Sequence, residues 1–437
     1  MVQAPWFYNL ISLAGLAALM GLARLSGLRR RPVAWTPIFW ALGLMLAMGG
    51  FVFLVPLGRA VLLWLNNAVV HLLAFSRAGL SLLFGPLALG PGETGPHGAK
   101  SLGFILAIQY LPTIIFFMAV TALLYQAGIM QRVVGLFARL FARLLGTSGA
   151  ESVGVASSIF VGIESAGMIR PYLETMTRSE FFCLLTALMS TVASSTLALY
   201  VGILGKTFPQ IAGHLMSASL LSAPAAIVVA KLMEPETGEP LTLGQQIDTS
   251  LGRYDGYMEA VVTGSTEGVK LVTGIVALLV SFLGLVAVAN GLFGWGGSLV
   301  GLPGLSLEKL TGYLAWPLAL ALGIPPCDAG QIATLLGERL LVTEIPAYVG
   351  LAGMIKGHTL VYARSPLIAS YALCGFTHVA SMAIFCGGLG ALVPSRMGEI
   401  SRLGFKALWA ATLATAMTGC VAGAFAMGGR SLLGLGG

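Results

Sequence analysis

The chain has 437 residues, of which 57% are hydrophobic and only 9% are charged. Soluble domains carry about 25% charged residues, so the composition excludes a soluble globular protein and fits a chain that crosses a membrane several times. The net charge of +7 sits mostly on Arg and Lys at the ends of apolar runs, as the positive-inside rule and anionic lipid produce; no basic block interleaved with aromatics points to nucleic acid.

Trp6 to Leu25 is a first span, long enough for a hydrocarbon core of ~30 Å. Arg24, Arg29, Arg30 and Arg31 lie at its end or just after it, which predicts a cytoplasmic end and an N-terminus outside an inner membrane. This cluster follows the apolar run, the reverse of a signal peptide. Trp35 to Leu57 is a second span. Between Arg59 and Leu89 the residues Trp64, Asn66, Asn67, His71 and Arg77 interrupt the aliphatics, predicting an amphipathic helix in the interface. Gly90 to Lys100 is a turn-rich loop. Leu102 to Met130 is a third span, and Gln131 to Arg143, with three arginines, reads as interfacial.

The segment Ser157 to Leu173, SSIFVGIESAGMIRPYL, places Glu164 in apolar surroundings. An uncompensated carboxylate at mid-bilayer costs roughly 2.5–3.5 kcal/mol, so it is expected to face a cavity, a partner or a substrate. Arg170 and Pro171 follow closely and suit a short hairpin. Phe181 to Leu204 is a span interrupted by Ser190, Thr191, Ser194, Ser195 and Thr196. Those hydroxyls either mark a cavity-facing, partly unwound stretch or back-bond to helix carbonyls.

Ile211 to Met233 is a further span. The hydrophilic run Glu234 to Gly268 forms the midpoint, and its acids read as a solvated face. Val269 to Phe293 is a long span. Leu305 to Leu322 and Asp328 to Val342 are shorter helices, followed by Glu344 in TEIPAY (Thr343 to Tyr348). Ser365 to Leu392 is broken near Cys374–Gly375, and Leu403 to Met427 is the last span.

Each half thus carries a hairpin-like region with one acid, then a helix rich in small and hydroxyl residues. Glu164 precedes Thr191 by 27 positions and Glu344 precedes Ser381 by 37. Paired broken segments point to a transporter with internal inverted repeats, in which half-helix ends aim at a central site and unwound carbonyls hold a cation. The expected fold is an all-α polytopic membrane protein with about eight transmembrane helices, two re-entrant hairpins and interfacial helices. Cys183, Cys327, Cys374, Cys386 and Cys420 form no CxxC or Cys/His cluster and read as reduced packing residues. No cofactor, no nucleophile–base constellation and no phosphate loop is expected, so the chain is not read as an enzyme.

Several stretches resemble the concentrative nucleoside transporter family: LPTIIFF (Leu111 to Phe117), GTSGAES (Gly146 to Ser152), SSIFVG, IRPYL, MSASLLSAPAAIVVAKLMEPET (Met216 to Thr237), YALCGF (Tyr371 to Phe376) and GGLGALVPSR (Gly387 to Arg396). They occur in the family's order from about residue 55 to about residue 427. The resemblance implies a homotrimer in which each subunit has a scaffold and a mobile transport domain, and symport of a nucleoside with sodium or protons by an elevator-like movement. Its expected organisation is 1–60 as N-terminal scaffold spans, 61–100 as interfacial helix and loop, and 101–145 as scaffold span and amphipathic helix. Residues 146–240 form the first repeat of the transport domain, 241–304 an interfacial segment and scaffold span, and 305–437 the second repeat.

The family's site residues carry over unevenly. Its first hairpin reads Gly-Gln-(Ser/Thr)-Glu, where this chain has Gly162-Ile163-Glu164; the acid stays, and the Gln and hydroxyl that bind the nucleobase are gone. Its second hairpin reads Asn-Glu-Phe-Val-Ala-Tyr, and its Glu binds ribose hydroxyls; here it is Thr343-Glu344-Ile345-Pro346-Ala347-Tyr348. The broken helix keeps Phe376 and Ser381 but has His378 for the ribose-binding Asn. His378 either donates to a sugar hydroxyl or titrates and couples a proton. Thr196 completes the expected substrate set. The possible sodium site comprises Ser158, in place of an Asn, with Val161, Thr191 and Val192. The loss of the base-reading Gln leaves open the same fold with another polyol-bearing solute, and a separate reading from a different class is a non-transporting membrane sensor or scaffold.

Overall fold

The structure is a computed structural model and describes residues 1–27, 32–95, 98–162, 165–245, 247, 254–299, 301, 306–427 and 433–434. Arg29, Arg30, Arg31, Ile163, Glu164, Asp248 and Arg253 lie outside the described residues. The described chain is helical throughout. α1 (Phe7–Ser26) and α2 (Trp35–Leu54) are the two expected N-terminal spans. α3 (Pro56–Phe84) starts at a proline, whose missing N–H costs nothing in a first helical turn. The α2–α3 corner is tight enough that a Cβ on Gly58 would fall 1.8 Å from the Phe51 carbonyl oxygen. The third span is divided into α4 (Leu106–Gln109) and α5 (Thr113–Gln126), with Pro112, which has no N–H, in the gap. α6 (Ile129–Leu145) lies between Gly128 and Gly146, whose φ of +74° and +63° glycine adopts without strain.

A related succession of elements then occurs twice, with two short helices in the first set where the second has one longer helix. The first set is α7 (Gly149–Ser158), α8 (Ser165–Met168), α9 (Arg170–Leu173), α10 (Arg178–Ser190), α11 (Ser194–Leu204) and α12 (Ile211–Met233). α13 (Tyr257–Leu299) and α14 (Leu307–Ala321) separate it from the second set. That set is α15 (Pro326–Leu341), α16 (Glu344–Lys356), α17 (Arg364–Ala372), α18 (Val379–Leu392) and α19 (Met397–Phe425). The unwound stretches between α10 and α11 and between α17 and α18 fall where the hydroxyl-rich and Gly-containing breaks predict them.

α12 and α19 form the centre, with α10 packed on both and α17 on α19. α1 packs on α19, α12 and α14, and α2 on α12 and α19, so both N-terminal spans lie against the repeat core. α13 packs chiefly on α5 and leaves most of its apolar surface exposed. It is longer than expected, because part of the hydrophilic run is also helical; its 43 residues correspond to about 65 Å of helix, more than a bilayer core.

Among the described residues, eight helices have the length and apolarity to cross a membrane. One of them is α3 with the turn that follows it, for which an interfacial position is the sequence expectation. Charged residues tie the core together at one helix-end region. Lys231 pairs with Glu151 at 2.7 Å, so Glu151 of GTSGAES serves an ion pair. Arg178 and Lys406 both pair with Glu234. All five cysteines are free thiols, and Cys183, Cys374 and Cys420 are buried.

Candidate substrate and cation site

One cavity collects parts of both repeats. Its wall holds Gly162 at the first hairpin tip, Ser194, Ser195 and Thr196 at the start of α11, Thr343 and Glu344 at the start of α16, and Phe376, His378 and Ser381 at the break before α18. α5 and α13 close the other side with Met118, Leu271, Ile275 and Leu278. The starts of α11, α16 and α18 therefore all face it. Helix starts carry unpaired N–H groups and the positive end of the dipole, which favours an electron-rich ligand.

Glu344 is 3% exposed. The Tyr200 hydroxyl of α11 donates to its Oε1, across 144 residues of sequence. The Tyr200 ring stacks on Tyr348 with centroids 4.5 Å apart, and the Tyr348 hydroxyl donates to the Ser370 carbonyl at 3.0 Å. His378 Nε2 lies 2.9 Å from Glu344 Oε2, so each carboxylate oxygen has one neighbour and still keeps acceptor capacity. Thr343 Oγ1 beside it is buried and has no hydrogen-bond partner among the described residues. A buried hydroxyl without a partner is costly, and a hydroxyl-bearing ligand in the cavity supplies one, with further donors for the carboxylate.

His378 has a second bond. Its Nδ1 accepts the Ser381 N–H at 3.1 Å and caps α18. The hydrogen-bond pattern thereby assigns the neutral tautomer with the proton on Nε2, directed toward Glu344. A second proton on Nδ1 would oppose an N–H and break the cap. The Ser381 hydroxyl is occupied in the same cap: its one hydrogen is shared between the Phe376 carbonyl and the His378 carbonyl, the latter at 2.8 Å. Phe376 packs its ring at 6.0 Å from Phe385 in the cavity wall.

The expected cation ligands lie next to this cavity, where the first hairpin tip meets the α10–α11 break. The Ser194 N–H donates to the Phe160 carbonyl at 3.0 Å. The Ser219 hydroxyl of α12 lies 3.0 Å from the Ile159 carbonyl oxygen and 3.3 Å from that of Val192. Ser158 Oγ donates to the Val155 carbonyl at 2.9 Å and Thr191 Oγ1 to the Ala187 carbonyl at 2.8 Å. Each hydroxyl spends its hydrogen on a helix carbonyl and keeps lone pairs. With the backbone carbonyls of Val161 and Val192 nearby in the chain, the donor chemistry is all oxygen and suits a hard cation. Among the described residues no group of His, Cys, Asp and Glu could hold a transition metal.

The structure thus brings Gly162, Thr196, Thr343, Glu344, Phe376, His378 and Ser381 into one wall, with Val161. Ser158, Thr191 and Val192 sit in the adjoining buried layer. Sequence reasoning missed Tyr200 and Ser219. A tyrosine inside an apolar span is a signal for the first; Ser219 is one of several serines in its helix and carries none.

The geometry defines a helical membrane transport protein with its site between two broken repeats. The chain matches three family descriptions: the Na+ dependent nucleoside transporter N-terminus over residues 14–87, the nucleoside recognition gate over 107–207, and the Na+ dependent nucleoside transporter C-terminus over 214–423. It is 33% identical to an uncharacterized transporter of Haemophilus influenzae, covering 95% of this chain and 97% of that one. It is 34% identical to the nucleoside permease NupC of Helicobacter pylori, covering 96% and 98%. It superposes with a TM-score of 0.86 on CNTnw in an inward-facing substrate-bound state, at 32% identity over 96% of this chain and 98% of that one. The chain belongs to the Na+ dependent nucleoside transporter family.

Proposed function

We propose that this chain is a cation-coupled nucleoside symporter of the inner membrane. The observation that carries the reading is the buried Glu344 carboxylate beside Thr343 Oγ1, which has no hydrogen-bond partner among the described residues, in the wall of a cavity built by both repeats. A ribose diol supplies two hydroxyl donors to such an acceptor, and charge-assisted bonds make this a strong way to hold it. The relatives described as a nucleoside permease and as a sodium/nucleoside cotransporter support the same cargo. The rest of the wall is largely apolar, so the base is held by contact with Phe160 and Phe376 more than by hydrogen bonds. That agrees with Ile163 standing where the family's base-reading Gln does.

Sodium is the proposed coupling ion. Ser158, Val161, Thr191 and Val192 would hold it, and it would lock the first hairpin tip against the α10–α11 break. The capped, single-proton state of His378 argues against that residue as a proton carrier. Movement follows an elevator pattern in a homotrimer: the repeat core carries the site past α5 and α13, whose exposed face serves subunit contact. The N-terminus lies outside.

Purified protein in proteoliposomes, given labelled uridine or adenosine under an inward sodium gradient, a proton gradient or none, tests the reading. Uptake under the sodium gradient is expected. No uptake of any nucleoside under either gradient would refute it, and uptake driven only by protons would refute the sodium assignment.

A further inference from the structure

Two buried cations, Arg339 and Arg364, take part in none of the ion pairs among the described residues, and Arg339 is the one on the second hairpin. Arg339 lies on α15, five residues before Glu344, and is 2% exposed. Its Nη1 donates to the carbonyl of Ala372, the last residue of α17, and to Thr415 Oγ1 of α19 at 3.2 Å. None of the ion pairs among the described residues includes it, and its Nε is buried without an acceptor. A charge in an apolar membrane core needs compensation. Here the compensation is the open carbonyl end of a half-helix, the negative end of its dipole.

The repeat gives this position a counterpart. In the first set, the end of α7 meets the end of α10, and α12 contributes a hydroxyl, Ser219, between the Ile159 and Val192 carbonyls. In the second set, the end of α15 meets the end of α17, and α19 contributes a hydroxyl, Thr415. The opposite ends of the hairpins confirm the register. Ser148, the N-cap of α7, donates to Glu180 at the start of α10. The second set exchanges the pair: Ser365 at the start of α17 donates at 2.6 Å to Asp328 at the start of α15. Where the first set presents hydroxyl and carbonyl oxygens, the second holds a guanidinium.

We propose that Arg339 is a tethered cation that holds the arm of the second hairpin to the carbonyl end of α17, so that this repeat needs no bound ion. The parallel with the first repeat rests on the cation site proposed above; the need for positive charge at Arg339 does not. Arg339 does not line the substrate cavity. It is a positioning residue, acting through the arm that leads to Thr343 and Glu344.

The test uses purified full-length protein with Arg339→Ala, Arg339→Gln and Arg339→Lys. Guanidinium chloride at millimolar levels is the probe, with urea as the uncharged molecule of the same shape and choline chloride as the ionic-strength control. The Ala variant is expected to melt below wild type, and guanidinium alone to raise its melting temperature saturably; wild type should show no such rise. The Lys variant is expected to keep most nucleoside uptake and the Gln variant to lose most of it. Equal effects of guanidinium and urea on the Ala variant, or a Gln variant that melts and transports like wild type, would overturn the proposal. If the Ala variant does not fold, membrane accumulation decides: the Lys variant should exceed Gln, and equal accumulation refutes a role for charge. The melting readout needs no nucleoside, so failure of the transport reading is distinguishable from failure of this one.

Discussion

Replacing Glu344 by Gln isolates the charge at the centre of the site. The side chain keeps its shape, but its partners do not suit an amide. With the amide oxygen toward Tyr200, the NH2 group faces His378 Nε2, which stands 2.9 Å from Oε2 in the wild type. His378 cannot answer by changing tautomer, because Nδ1 holds the Ser381 N–H. With the amide reversed, the Tyr200 hydroxyl loses its acceptor. One donor is left unmatched either way, at about 1–3 kcal/mol. A bound diol loses more: a hydrogen bond to a charged acceptor contributes about 1–1.5 kcal/mol more than one to a neutral acceptor, so two give about 2–3 kcal/mol. Nucleoside affinity should therefore fall about 30- to 150-fold.

Equilibrium binding of uridine, 2′-deoxyuridine and 3′-deoxyuridine to both proteins measures this. Wild type should lose affinity for each deoxy compound, and Glu344→Gln should discriminate far less, which is the coupling a double-mutant cycle reports. If Glu344→Gln binds uridine within about threefold of wild type, or discriminates the deoxy compounds equally well, the diol does not sit on Glu344.

His378→Asn should keep the α18 cap and melt near wild type, whereas His378→Ala should lose about 1 kcal/mol, read by thermal melting in detergent. Ser158→Ala and Thr191→Val each remove one oxygen from the proposed cation site. Each should raise the sodium concentration for half-maximal uptake about tenfold, corresponding to ~1.4 kcal/mol, and unchanged sodium dependence in both would count against the site. For Glu234, burial raises the carboxyl pKa, but the Lys406 ammonium and Arg178 guanidinium outweigh it and hold the value below the ordinary 4.5. A lowered folded pKa stabilises above the unfolded value, and the benefit is lost as pH falls through the folded one. Glu234→Gln should therefore cost about 1–3 kcal/mol at neutral pH, with the two melting curves converging as pH falls through and below the ordinary carboxylate range.

Much of the architecture is legible without coordinates, because hydropathy and backbone conformation are local properties. An apolar run of span length has to be helical in lipid, and α1, α2 and α12 fall within a few residues of the runs that predict them. Hydroxyls at Ser190 to Thr196 and the glycine at Gly375 mark the two breaks, because such residues free backbone groups that a cavity or ligand must satisfy. Glu344 stands out for the same reason, as a carboxylate where lipid would not tolerate one. The limits were local too. The hydrophilic run before Val269 gives no sign that it continues α13, since an exposed helix and a loop share a polar composition.

Partnership was decided by the tertiary structure. Tyr200 meets Glu344 because α11 crosses the start of α16, not because of any spacing in the chain. His378 reads in the sequence as a choice between sugar ligand and proton carrier. Only the direction of the Ser381 N–H commits its Nδ1 to a helix cap and turns the other nitrogen toward the carboxylate. Arg339 is one more basic residue in the sequence, and its burial against the end of α17 appears only once α15, α17 and α19 are packed together. Residue type and periodicity specify where a helix starts, stops and breaks. Which charge finds which dipole depends on how those helices cross, and that is a property of the whole fold.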